Sequence, residues 1–103
     1  MAEQLKQSNK LDVRAAVGVA RKYFSSIQDL ISVEIQDIRL EEVELSEDEQ
    51  FWLVTLGYNL PQPASQNPLL PEMIKQVEFE RYYKIIKIDA DTKEVESMKI
   101  REL

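Results

Sequence analysis

The sequence predicts an α+β domain in which one N-terminal helix packs on a four-stranded antiparallel sheet. Apolar residues recur at a helical period up to Ile31, and from Val33 onward they recur at a period of two. Polar turns then separate further alternating segments, in the order expected for consecutive antiparallel strands. At 103 residues the chain fits one domain, so we expect residues 1–103 to form a single α+β unit.

The helix is predicted over Asp12 to Ile31. Its apolar residues form one stripe at spacings of three and four: Val13, Ala16, Val17, Ala20, Phe24, Ile27 and Ile31. Asn9 or Asp12 can cap its start, because a short polar side chain accepts from the free backbone N–H groups there. Gly18 costs about 1 kcal/mol relative to alanine, which indicates either close packing or a tolerated surface position. Residues 1–9 are polar, and we expect a flexible tail.

The first strand segment has an apolar pattern whose parity changes twice. Its three pairs are Val33 and Ile35, Ile38 and Leu40, and Val43 and Leu45. A strand face can change parity only where a residue is inserted into the strand. We therefore predict one irregularity near Gln36–Asp37 and another near Glu41–Glu42.

The second strand is predicted over Phe51 to Tyr58, after a polar turn over Ser46–Glu49, and it is apolar at both parities. One face carries Trp52, Val54, Leu56 and Tyr58, and the other carries Phe51 and Leu53. A strand of this kind is covered on both sides. Since the sequence predicts a single helix, one face must meet another surface, and parity does not decide which face that is.

The remaining elements are a loop and a hairpin. The four prolines lie within residues 60–72, and because proline removes a backbone donor, we expect a Pro-rich loop there and no strand. The third strand is predicted from about Val77 to Asp89 and the fourth from Glu94 to Arg101. Between them, Lys93 is predicted to lie in the left-handed region and to form a G1 bulge.

The last hairpin carries a motif of a known family. Residues 83–95, Tyr-Lys-Ile-Ile-Lys-Ile-Asp-Ala-Asp-Thr-Lys-Glu-Val, resemble the PepSY signature, an aromatic-led strand followed by Val-Asp-Ala-x-Thr-Gly-Glu-Val. The helix segment 15–20 resembles the alanine-rich helix that opens such domains. The resemblance implies an αββββ, cystatin-like fold in which the sheet wraps around the helix. Lys93 stands where the family has glycine.

The resemblance also implies a binding role, because PepSY domains have been proposed to restrain peptidases. Family members are mostly secreted or membrane-associated, whereas the polar segment from Met1 to Asn9 cannot form a signal-peptide core. The longest apolar runs have four residues or fewer, far short of a transmembrane helix. We therefore expect a cytoplasmic protein that does not bind membranes.

Missing residue types restrict the chemistry. The chain has no cysteine and no histidine, so it lacks thiolate nucleophiles, Cys-based metal sites and the commonest general base. Its two glycines, Gly18 and Gly57, are too far apart to form a phosphate-binding loop. We expect no enzyme, no cofactor and no metal. The net charge of −6 also disfavours nucleic acid and anionic membranes as partners.

The candidate interaction surface combines apolar and acidic strand residues. Its members are Phe51, Leu53, Trp52, Tyr58, Glu41, Glu42 and Glu44. The acidic residues could bind a basic partner protein or a loosely held cation, or they could form a solvated face that discourages aggregation. A ligand pocket could be lined by Trp52, Tyr58, Tyr82 and Tyr83, although strand aromatics are more often core residues or cross-strand pairs.

These features predict a non-enzymatic protein-interaction module that forms a homodimer through one face of its sheet. The second apolar face needs a cover, and a second copy of the chain requires the fewest assumptions. The alternative is a small-molecule binding domain whose pocket lies between the sheet and the Pro-rich loop.

Overall fold

The computed structural model describes residues 10–62 and 78–102, which form one helix and four strands. The elements are α1 (Val13–Ile31), β1 (Gln36–Leu45), β2 (Phe51–Gln62), β3 (Glu78–Asp89) and β4 (Val95–Ile100). The strands pair antiparallel in the order β1-β2-β3-β4, and α1 packs on the sheet. The predicted α+β class is confirmed. The predicted tail over 1–9 and most of the Pro-rich segment lie outside the described residues.

The helix begins at one of its two predicted caps. Asp12 Oδ1 accepts a hydrogen bond from the backbone N–H of Ala15 at 2.8 Å, which satisfies a free donor of the first turn. Gly18 is exposed, and a Cβ at this position would meet no described atom within 4 Å beyond the helix's own backbone. Gly18 is therefore a tolerated surface glycine, and close packing does not explain it.

The core lies between α1 and the face of the sheet that carries the even-numbered residues of β2. Its fully buried members are Ala16, Ala20, Phe24, Val54, Leu56, Tyr58, Ile86 and Ile88. The alanines let the helix approach the sheet closely, and Phe24 fills the space beside them. The question of parity is thus decided, since Phe51 and Leu53 lie on the side away from the helix.

Both predicted irregularities in the first strand segment are present. The β1–β2 register shifts between Gln36 and Arg39 and again between Leu40 and Glu42. Asp37 has φ 56°, in the left-handed region, where the first shift occurs. The strand starts later than the pattern predicts, because the chain must turn after α1 before it enters the sheet. Val33 lies in that turn and is 87% exposed.

The prediction that no strand extends beyond residue 60 is wrong. Pro61 belongs to β2 and pairs with Phe79 of β3. Its missing N–H is tolerated there because β1 pairing ends at Asn59, and beyond that point no described strand pairs with this edge of β2. Proline is excluded from strands that pair with neighbours on both sides, whereas Pro61 has a described neighbour on one side.

The predicted G1 bulge closes the last hairpin. The backbone N–H of Lys93 donates to Asp89 O at 2.9 Å, and the Asp89 N–H donates to Glu94 O at 2.9 Å. Two successive residues, Lys93 and Glu94, therefore pair with the single residue Asp89, as in a β-bulge. Lys93 has φ 68°, as expected of the residue that replaces glycine. The backbone N–H groups of Thr92 and Asp91 donate to the Asp89 carboxylate and lower its pKa.

Substitution of Lys93 tests the bulge. Lys93→Gly removes the strain of a side chain in the left-handed region, which is about 1 kcal/mol. Glycine also raises the conformational entropy of the unfolded chain, which lowers the stability of the folded state by about 0.4–1 kcal/mol. We therefore expect a change between neutral and about 1 kcal/mol stabilising in urea unfolding. Lys93→Val should be the least stable of the three proteins, because β-branched residues tolerate positive φ poorly. A harmless valine with a destabilising glycine would contradict this geometry.

Candidate functional site

The face of the sheet opposite α1, called the open face here, is the candidate site. Within the described ranges α1 is the only element outside the sheet, and it packs on the other side. The register brings residues of all four strands into rows across this face. One row contains Glu44, Leu53, Lys87 and Ser97, and the next contains Glu42, Thr55, Ile85 and Lys99.

Near the β1–β2 turn the open face forms a depression of about 620 Å³. Phe51, Leu53 and Ile85 supply its apolar lining and are called the apolar floor here. Lys87 and Lys99 line it on the β3–β4 side. Lys87 Nζ lies 4.1 Å from the centroid of the Phe51 ring, a cation–π contact that holds the ammonium group over the floor. The depression is therefore apolar at its base and cationic on one side.

The β1–β2 turn places a carboxylate on the opposite side of this depression. The Ser46 hydroxyl donates to Asp48 Oδ1 at 2.6 Å, and the backbone N–H of Gln50 donates to the same oxygen at 3.0 Å. These two bonds lower the pKa of Asp48, with a smaller contribution from the charge of Lys87. Glu47 lines the same side. The predicted polar turn thus fixes negative charge beside the apolar floor.

The other half of the open face is covered by an ion-pair cluster around Arg81. Its Nη2 lies 2.7 Å from Glu41 Oε1, and its Nη1 donates to the backbone oxygen of Asp37 at 2.9 Å and to Asn59 Oδ1 at 3.1 Å. Gly57 lies beneath this cluster. A Cβ on Gly57 would stand 2.8 Å from Glu41 Oε1 and 3.0 Å from Arg81 Nη2. The missing side chain lets the ion pair lie against the sheet.

A second ion pair spans the sheet from the end of β4 to β1. Arg101 Nη2 lies 3.2 Å from Glu42 Oε2, and Arg101 Nη1 donates weakly to Thr55 Oγ1 at 3.4 Å. The backbone N–H of Arg101 donates to Tyr83 O at 3.1 Å, which extends the β4 pairing by one bond. Thr55 is buried under this arginine. The Arg81–Glu41 and Arg101–Glu42 ion pairs thus cover the polar half of the open face.

The seven residues of the predicted interaction surface are split between the two faces of the sheet. Phe51, Leu53 and Glu44 lie on the open face, as a surface role requires. Glu41 and Glu42 lie there too, but each is paired with an arginine, so the acidic segment is partly neutralised.

Trp52 and Tyr58 require a correction, since both lie on the helix side of the sheet. Trp52 Nε1 donates to Leu11 O at 3.0 Å, and Tyr58 is only 2% exposed. The Tyr58 ring lies 5.4 Å from the Phe24 ring and 6.0 Å from the Tyr82 ring, measured between centroids. Even-numbered β2 residues point toward α1, so Tyr58 belongs to the buried core and the partly buried Trp52 packs against it; neither lies on the open face.

Sequence reasoning missed the partners of the predicted residues. Ile85 and Lys99 line the depression, whereas Arg81 and Arg101 close the other half of the face. The alternation of β3 places residues 81, 85 and 87 on one face, and this signal was present in the sequence. Their contact with the β1 carboxylates depends on the strand order, which alternation alone does not give.

In the part of the chain that the structure describes, neither a metal-binding cluster nor a membrane-spanning helix is found. Among the described residues, no group of three or more carboxylates is placed to hold a metal ion. None of the helical structure in 10–62 and 78–102 is long and apolar enough to cross a membrane. Comparison with family models, with curated proteins and with solved structures gives no match. The proposals below therefore depend on the chain's own geometry.

Proposed function

We propose that this protein is a non-enzymatic interaction module that self-associates through the open face of its sheet. The observation that supports the proposal is the apolar floor of Phe51, Leu53 and Ile85 on a face that no described element covers. Apolar surface removed from water contributes about 25 cal/mol per Å². An apolar patch with a polar rim is typical of a protein–protein contact.

The environment of the carboxylate side chains favours a binding role over catalysis. Without cysteine or histidine, carboxylates are the main remaining acid–base groups. Glu41 and Glu42 are held by Arg81 and Arg101 on an open surface. A catalytic pair of carboxylates works in a concave, desolvated site that separates the two pKa values.

A PepSY-like relationship fits the same proposal. The helix followed by four antiparallel strands and the G1 bulge at Lys93 agree with the resemblance of residues 83–95. A relationship of this kind would also imply a binding role. The cytoplasmic location stays a prediction from the sequence.

Leu53→Glu tests the proposal directly. We expect the unmodified protein to be a dimer and Leu53→Glu to be a folded monomer, because a buried unpaired carboxylate is costly at an apolar interface. The dimer should weaken at least about 100-fold, which corresponds to roughly 3 kcal/mol. Sedimentation equilibrium measures the association, and circular dichroism reports whether the variant is folded.

Leu30→Glu is the matched control, because Leu30 is 80% exposed on α1, away from the open face. It introduces the same charge at an apolar residue and should leave the dimer intact. A Leu53→Glu dimer with unchanged affinity would rule out the apolar floor as the contact surface. A monomeric unmodified protein would rule out self-association.

The second candidate function is small-molecule binding in the depression. Its volume of about 620 Å³ is in the range of ligand pockets, and Lys87 and Lys99 would favour an anionic apolar compound. The Pro-rich segment predicted to form the other wall of such a pocket lies mostly outside the described residues. A strictly monomeric protein whose melting temperature rises with one class of small anion would favour this function over self-association.

A further inference from the structure

Charge is distributed unevenly across the open face. The acidic residues come from β1 and the turn after it, and the basic ones come from β3, β4 and the residue after β4. The first group, called the acidic edge here, is Asp37, Glu41, Glu42, Glu44, Glu47 and Asp48, and the second group, called the basic edge here, is Arg81, Lys87, Lys99 and Arg101. Arg39 and Asp89 are the exceptions. Arg39 Nε binds Asp37 at 2.8 Å, and the carboxylate of Asp89 in β3 accepts hydrogen bonds from the backbone of the β3–β4 hairpin. The apolar floor lies between the two edges.

This distribution distinguishes two ways of pairing two copies face to face. In a symmetric dimer the same surface is used twice, and the twofold axis lies in the plane between the sheets. An axis parallel to the strands exchanges left and right, so it places the acidic edge of each copy opposite the basic edge of the other. An axis perpendicular to the strands places like charges opposite each other, which is unfavourable.

We infer that the occupant of the open face is a second copy of this chain, related by a twofold axis that runs parallel to the strands between β2 and β3. The inference depends on the proposed function and specifies the geometry of its dimer. In this arrangement β1 of one copy lies over β4 of its partner, and the two apolar floors meet at the centre.

The charges at the two edges include groups that remain available to a partner. Among the described residues, neither Glu44 of β1 nor Lys99 of β4 lies within 4.0 Å of an opposite charge. Both residues are exposed and lie on the outermost strands. A uniformly basic partner would be attracted to the acidic edge but repelled by the basic edge. A second copy complements both edges at once.

The size of the face also favours an arrangement that uses both edges. β2 and β3 have 12 residues each, or about 40 Å at about 3.3 Å per residue. Four strands about 4.8 Å apart give a width of about 19 Å and an area of at most roughly 750 Å². Standard-size interfaces bury about 600–1,000 Å² on each partner, a range that the whole open face reaches. The apolar floor alone is smaller than this, so the edges must take part.

Charge reversal at the edges tests the axis. We expect Glu44→Lys and Lys99→Glu each to weaken the homodimer about tenfold at low ionic strength, because each creates two like-charge contacts per dimer. An equimolar mixture of the two variants should form a heterodimer with restored affinity, and so should the double variant with itself. Glu34→Lys and Lys22→Glu, which are exposed and lie outside the open face, are the matched controls and should change nothing.

Sedimentation equilibrium separates the outcomes. Weaker single variants and a restored mixture support the parallel axis. Single variants with unchanged or increased affinity, with Leu53→Glu still monomeric, would overturn the axis and leave the proposed function in place. A monomeric unmodified protein would overturn both. Circular dichroism of each variant confirms that a loss of dimer is not a loss of fold.

Discussion

Replacing Phe24 by alanine is expected to cost about 3–5 kcal/mol of folding free energy, the largest effect of any change considered. Phe24 is 1% exposed and lies on the stripe of α1 that meets the sheet. Its ring packs against Tyr58 of β2 with 5.4 Å between centroids. The variant loses the transfer energy of a buried aromatic ring and leaves a cavity that the rigid sheet cannot close.

Urea unfolding followed by circular dichroism measures this effect. Val13→Ala is the control, because Val13 belongs to the same predicted stripe but is 47% exposed. It should cost less than about 1 kcal/mol, since little apolar area is removed from the interior. If Phe24→Ala were as mild as Val13→Ala, α1 would not be packed on the sheet as described.

The second large effect is expected for Trp52→Phe, at about 1–3 kcal/mol. Trp52 Nε1 donates to Leu11 O at 3.0 Å, and the Leu11 N–H donates to Ala90 O at 3.0 Å. Leu11 is thus held between β2 and the β3–β4 hairpin, one residue before the helix cap Asp12. Phenylalanine keeps most of the packing but leaves the half-buried Leu11 carbonyl without this donor.

Tyr23→Phe is the matched control for this substitution. It also replaces a polar aromatic residue by phenylalanine, and the Tyr23 hydroxyl donates no hydrogen bond to any described residue. The comparison should use circular dichroism, because Trp52 is the only tryptophan of the chain. Equal stabilities of the two variants would mean that the bond to Leu11 does not fix the start of the helix.

Local features of the fold followed from the sequence because their causes are local. The stripe of α1 arises from the 3.6-residue period, and Asp12, one of the two predicted caps, accepts from a free N–H group within one turn. The two register shifts of β1 follow from parity changes within a single strand. The left-handed Lys93 follows from the geometry of one tight turn. Each of these features involves residues that are close together in the chain.

The arrangement of the open face was decided by the tertiary structure. Alternation in β2 defines two faces, but only the docking of α1 determines that Trp52 and Tyr58 are covered and that Leu53 is not. Glu41 meets Arg81, 40 residues away in the chain, because β1 and β3 flank the same strand. Pro61 is accepted in β2 because the neighbouring strand ends at that level. Sequence periodicity fixes which residues share a face of one element. The neighbours of that face depend on strand order and packing, which are set by contacts distant in the chain.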